Sequence, residues 1–206
     1  MKLSSGGPLR LGVLAALLGC ALSLSCGGGD KMTSTGLAAT FTPASVPPPA
    51  GSVTLQAGQV SGDTFQVRVA ATDIYDFFGA AFSVTYQNTI ADPATSSLSV
   101  LMVTFTGMNS AGSFLRETGV ATDFRVDSTT TPGMLVIVAT RLQQSPPISG
   151  VNVVGTRDLL TLTFRVRRAT TGSSIAFAAP QEVCDSRGPV CTPIGVTWSG
   201  GTVVAN

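Results

Sequence analysis

The chain has no histidine among its 206 residues. That removes the commonest general base near neutral pH and the commonest metal ligand. Nucleophilic serine or cysteine chemistry usually needs such a base, so a Ser-His-Asp arrangement is excluded. Charge is scarce: 11% of residues are Asp, Glu, Lys or Arg, where about 25% is usual for a soluble domain. The formal net charge of +1 offers no phosphate-binding footprint and argues against nucleic acid as a partner. Aromatics are few, with one Trp, two Tyr and ten Phe. There is no CxxC pair, no EF-hand spacing and no phosphate-binding glycine fingerprint, so no metal and no cofactor is expected. No stretch carries a 3.6-residue apolar stripe over three turns. Low charge does not make the chain disordered here, because 44% of it is hydrophobic and disorder needs low hydrophobicity with high net charge.

What is present begins with an address. Lys2 and Arg10 form a short basic leader, and Leu11 to Ser25 is uncharged and largely apolar. This run is shorter than the ~20 residues of a spanning helix and reads as a signal-peptide core. Cys20 follows Leu17-Leu18-Gly19, and Cys26 follows Leu22-Ser23-Leu24-Ser25. Both settings resemble the bacterial lipobox, whose cysteine is lipidated and becomes the mature N-terminus. Cys26 is favoured, with Cys20 the alternative. Gly27-Gly28-Gly29 makes a flexible tether after Cys26, and cleavage there leaves an even pair of cysteines in the body. The expected division is a signal peptide over residues 1–25, a tether over 26–52 that includes Pro47-Pro48-Pro49, and one domain over 53–206. The expected location is the exported side of a bacterial cell envelope, held by lipid rather than by a span.

From Val53 onward the pattern is β. Thr64 to Ala70 sets Phe65, Val67 and Val69 against Gln66 and Arg68. Ala81 to Tyr86 sets Phe82, Val84 and Tyr86 against Ala81, Ser83 and Thr85. Leu160 to Arg167 sets Leu160, Leu162, Phe164 and Val166 against Thr161, Thr163, Arg165 and Arg167. Period two with β-branched and aromatic residues marks half-buried strands. Leu98–Phe105 and Met134–Thr140 are more continuously apolar and fit central strands covered on both faces. Val53–Gln56, Thr122–Val126, Ser174–Phe177 and Gly195–Val204 bring the set to about nine. Turn signals such as Ser61-Gly62-Asp63, Pro132-Gly133 and Gly200-Gly201 separate them. The expectation is an all-β antiparallel sandwich of jelly-roll topology. Cys184 and Cys191 flank the turn-like Arg187-Gly188-Pro189, and an exported setting predicts a disulfide between them.

Five segments in order then point to a family. Gly62-Asp63-Thr64-Phe65-Gln66-Val67-Arg68-Val69 resembles the opening strand of cohesin modules. Ile74 to Tyr86 resembles their next motif, Gly112-Ser113-Phe114-Leu115 the one after, Leu159 to Val166 a later strand, and Gly200 to Val204 the closing strand. Gln87-Asn88 departs from the pattern, standing where Asp-Pro is usual. The resemblance implies a nine-stranded jelly-roll sandwich without catalytic activity. It also implies a dockerin-type protein partner bound on one sheet face, in the service of polysaccharide degradation. Carbohydrate-binding modules share that architecture, so a polysaccharide ligand is the alternative, and a structural envelope lipoprotein without a dedicated ligand is a third.

The outward residues Ala81, Ser83 and Thr85 form the candidate binding face, being small and polar around apolar anchors. Arginine at Ser83 and Thr85 is expected to abolish capture without unfolding. Asp73/Asp76 and Asp123/Asp127 are the nearest carboxylate pairs, and their expected role is that of turn and surface acids rather than a glycosidase pair. Arg165, Arg167 and Arg168 are the densest basic patch, read as a solvated face. A sugar platform needs a flat row of rings; Tyr75, Phe77 and Phe78 are the only cluster, and at least part of it is expected in the core. Trp198 is expected to face the core.

Overall fold

The computed structural model describes residues 36–87, 104–106, 113–127, 130–166, 168–188 and 191–206. Cys20, Cys26, Leu98–Val103 and Arg167 lie outside these residues. Among the described residues the elements are β1 (Ala39–Pro43), β2 (Ser52–Ser61), β3 (Thr64–Phe77), β4 (Gly79–Tyr86), β5 (Thr104–Thr106), a 3-10 segment (Phe114–Gly119), β6 (Thr122–Asp127), β7 (Met134–Arg141), β8 (Val151–Arg165), β9 (Thr170–Asp185), β10 (Thr192–Ile194), β11 (Thr197–Ser199) and β12 (Gly201–Ala205). They form two sheets. The larger runs β1-β12-β9-β4-β7-β6, with β10 also on β9, and the smaller runs β11-β2-β3-β8-β5. Pairing is antiparallel except for β11, which lies parallel to β2.

Alternation fixes which side chains meet between the sheets. Phe65, Val67 and Val69 of β3 and Leu160, Leu162 and Phe164 of β8 turn inward, as do Phe82 and Val84 of β4 and Leu135, Ile137 and Ala139 of β7, and all are buried. Phe65 and Phe164 stack at 5.5 Å, and Tyr86 meets Phe164 edge-on at 5.7 Å across the two layers. Full burial of such a side chain stabilises by about 1.5–3 kcal/mol. Trp198 packs against Phe82 at 5.8 Å and Phe177 at 4.8 Å, facing the core as its strand position predicts.

Several expectations need correcting. Ala39–Pro43, inside the segment expected to be tether, forms β1 and pairs with β12 from Ala39↔Ala205 to Pro43↔Gly201, so the sandwich starts before Val53. Its alternating Ala39 and Phe41 are buried, but five residues are too few to stand out beside the prolines that follow. Among the described residues the two sheets of the expected antiparallel sandwich hold twelve strands, three of them only three residues long. The C-terminal run that reads as one strand is divided between sheets: β11 joins β2 and β12 joins β9. The step between them is made by Gly200-Gly201, and a Cβ on Gly201 would lie 2.3 Å from the Phe41 ring and 2.5 Å from the Thr42 carbonyl oxygen. β7 is not covered on both faces. It lies between β4 and β6, and Met134, Val136 and Val138 on its outer side are partly exposed. Arg165 is not solvated: it is buried, and its Nε donates to Asp63 Oδ2 at 3.0 Å. A core-edge carboxylate from the β2–β3 turn makes that burial tolerable, which alternation alone does not reveal.

Candidate binding face

The outer side of the larger sheet carries Ala81, Ser83 and Thr85 at its middle, on β4. In register with them, β7 supplies Val138, Val136 and Met134, and β9 supplies Glu182, Ala178 and Ala176. Beyond β7, the edge strand β6 adds Arg125 beside Val138 and Asp127 beside Val136. The surface is therefore small and mostly uncharged in the centre, with Glu182 on one side and Arg125 at the opposite rim, where its Nε donates to Asp123 Oδ2 at 3.1 Å. Of the three expected face residues, Ala81 and Thr85 are half-buried and reachable. Ser83 is closed from solvent, and its hydroxyl has no hydrogen-bond partner. Thr85 Oγ1 donates to the Ala176 carbonyl at 3.2 Å. Val138, missed because its strand reads as doubly buried, is exposed to 37%.

The carboxylates have structural work. Asp73 Oδ1 accepts the Gly155 N–H at 2.7 Å. The Asp76 carboxylate accepts the Gly150 N–H at 2.7 Å, the Ser186 N–H at 3.1 Å and the Ser186 hydroxyl at 2.8 Å. Its own N–H donates to Asn152 Oδ1 at 3.0 Å. Both residues adopt positive φ, 47° and 54°, where Asp is among the few side chains tolerated. They bend β3 and pin it to β8 and to the loop after β9. Asp127 Oδ1 accepts the Thr130 N–H at 3.2 Å, closing the β6–β7 turn. The loop after β9 is tied by the Cys184–Cys191 disulfide, with Cα atoms 5.0 Å apart. Burial pushes the Asp185 carboxyl up, but the Arg187 N–H and guanidinium and the Thr192 hydroxyl together hold it below the usual carboxylate range.

Two cavities sit on this bent region. One, of about 330 Å³, is lined by Tyr75, Asp76, Asp185, Arg187, Ile194 and Val196. Among the described residues, Tyr75 is the one large aromatic left mostly exposed, at 78%. Phe77 of the same cluster is buried and meets Phe114 edge-on at 5.1 Å. The other cavity, of about 470 Å³, is lined by Glu117, Thr118, Arg141 and residues 148–152. The signal for Arg141 was in the sequence, since it extends the inward row Leu135, Ile137, Ala139 by one step. Among the described residues, no three acids or cysteines gather as a metal site, and no helix is long and apolar enough to cross a membrane.

Several solved structures share this two-sheet arrangement, and the ones described here are cohesins. The sixth cohesin of the Acetivibrio cellulolyticus scaffoldin B, solved in complex with a mutant dockerin, is 17% identical over 73% of this chain and 96% of its own, with a TM-score of 0.48. A type II cohesin from the cellulosome of the same organism is 16% identical over 76% and 95%, again at 0.48. A non-cellulosomal cohesin from the archaeon Archaeoglobus fulgidus is 18% identical over 73% and 88%, at 0.43. No protein-family profile and no curated protein matches the chain. Likeness at this level concerns architecture alone.

Proposed function

We propose that this chain is a non-catalytic docking module, held at the cell envelope by a lipid on Cys26, that captures a dockerin-type protein on the outer face of its larger sheet. The observation that carries the reading is the uncharged tract Ala176, Ala178, Ala81, Thr85, Met134, Val136 and Val138, in register across β9, β4 and β7. A pleated surface of small residues flanked by charge, Glu182 on one side and Arg125 and Asp127 on the other, has the anatomy of a protein interface. The five cohesin-like segments give the partner its class and link it to polysaccharide degradation. A sugar ligand is less favoured, because stacking needs several coplanar rings and among the described residues Tyr75 is the one large aromatic mostly exposed.

The test is affinity capture from envelope extract, with and without calcium, using the full chain and two arginine variants. Thr85→Arg and Val138→Arg should each abolish capture, whereas Thr161→Arg on the smaller sheet should not. Capture that survives both face variants removes this face from the reading. Ser83 is left alone: with no solvent access, arginine there would probe folding rather than binding. For the anchor, Cys26→Ser should end lipid labelling; labelling that persists reassigns it to Cys20.

A further inference from the structure

The cavity between the 3-10 segment and the start of β8 is lined by a buried cation with unspent hydrogen-bonding capacity. Arg141 ends β7 on its inward row, so the strand that builds the core also carries a guanidinium to the core's mouth. It is 5% exposed. Its Nη2 donates to the Glu117 carbonyl and to Thr118 Oγ1, each at 3.3 Å, the long end of the range. Its Nε has no partner. A buried donor without an acceptor costs about 1–3 kcal/mol, and more when charged, so folding alone does not account for it. Burial pushes the Arg141 pKa down, with Glu117 opposing in part.

The charges around the cavity are the guanidiniums of Arg141 and Arg157 and the carboxylates of Glu117 and Asp76. Glu117 is engaged by Arg157, which bonds its Oε1 and lies 5.6 Å over the Phe114 ring. Asp76 lies behind Gly150 and spends its oxygens on Gly150 and Ser186. Arg141 is the guanidinium here that bonds no carboxylate, and with no further positive charge in reserve the site suits a monoanion better than a phosphate. A planar fork of N–H donors fits a carboxylate, and such charge-assisted pairs are about twice as strong as neutral hydrogen bonds. The rest of the lining is apolar where Val120, Ile148 and Val151 stand, and polar at the rim where Ser149 and Asn152 stand. A volume of about 470 Å³ is ordinary for a small-ligand site.

We propose that this cavity binds the free carboxylate of a peptide chain end whose last side chain is apolar, with Arg141 as the recognising group. The apolar wall favours a peptide terminus over an acidic sugar. The site is separate from the sheet face and does not depend on it.

The test is calorimetric titration of the full chain with three probes: an N-acetylated tripeptide acid ending in valine, the same peptide as its C-terminal amide, and glucuronate. The acid should bind saturably, the amide at least tenfold more weakly, and glucuronate more weakly than the acid. Arg141→Lys keeps the charge but loses the fork, and should lower affinity at least tenfold. Should that variant not fold, Ser149→Asp decides: it places a like charge on the exposed rim and should cost the same tenfold. No binding of the acid, equal binding of acid and amide, undiminished binding by Ser149→Asp, or tighter binding of glucuronate would each overturn the proposal.

Discussion

The bond between Cys184 and Cys191 invites a quantitative perturbation. Replacing both with serine opens a loop of sequence separation 7, and the chain-entropy relation gives about 2.4 kcal/mol for so short a closure. The folded loop does not depend on the bond alone. Ser186 donates its N–H and hydroxyl to Asp76, and Arg187 donates to Asp185 through its backbone at 3.0 Å and its Nε at 2.6 Å. The loss should therefore arise in the unfolded chain, which regains freedom, while the folded structure stays as it is. For a domain of this size about 2–4 °C accompanies each kcal/mol, so the midpoint should fall by about 5–10 °C. The single Trp198, packed on Phe82 and Phe177, is the natural probe. Its emission should be unchanged in the folded variant, and its transition should move down by that amount. A midpoint equal to wild type would refute the entropic argument. Altered emission before unfolding would show instead that the bond shapes the native state.

Gly201→Ala should lower stability by about 1–3 kcal/mol, the usual cost of overpacking, because its new methyl meets both the Phe41 ring and a backbone carbonyl. Urea midpoints for that variant and for Gly201→Ala/Phe41→Leu check it, and the second change should recover only part of the loss. Asp63→Asn leaves Arg165 buried without its ion partner and should cost about 3 kcal/mol, whereas Asp63→Leu/Arg165→Met should cost less than the single change. Simple additivity in the denaturation curves would count against a coupled pair. Glu117 has its carboxyl held low first by the Arg157 hydrogen bond. A depressed folded-state pKa gives stability that is complete above the unfolded carboxylate pKa and is lost as pH falls through the folded value. Glu117→Gln should therefore lose stability at neutral pH and show a shallower acid limb in thermal melts; identical acid limbs would contradict this.

How far the sequence speaks depends on which signal a residue answers to. Phe65, Val67, Phe82, Val84, Leu162 and Phe164 announce their faces by alternation, because one side of each strand must be dry. Met134–Thr140 misleads for the same reason in reverse: valines at 136 and 138 look like core, yet they stand on the partly exposed outer side of the sheet. Arg165 sits in a buried position that composition treats as surface, and only its partner Asp63 explains it; Arg141 follows the inward row of its strand, but the carbonyl and hydroxyl it bonds belong to a turn far from it in sequence. Thr118 holds φ of 65° in that turn, which no local pattern at Glu117-Thr118-Gly119 advertises. Asp73 and Asp76, expected beside a turn, lie within the bent end of β3, and their bonds to Gly150, Gly155 and Ser186 join segments 74 to 110 positions apart, beyond the reach of any short window. Recognition of the β1 strand failed because its stability comes from β12, at the far end of the chain.

The β1–β12 pairing also has a mechanical side. Ala38 and Asn206 bond each other in both directions, at 2.8 and 3.1 Å, so residue 38 lies at the corner where residue 206 sits. A pull applied at residue 36 would load the ladder of five paired residues and the bond from the Ala39 N–H to the Gly62 carbonyl before the rest of the sandwich. Such a seam opens rung by rung when peeled but resists as a unit when sheared. The direction of tension, more than its size, would then govern whether a loaded molecule lets out slack or holds fast.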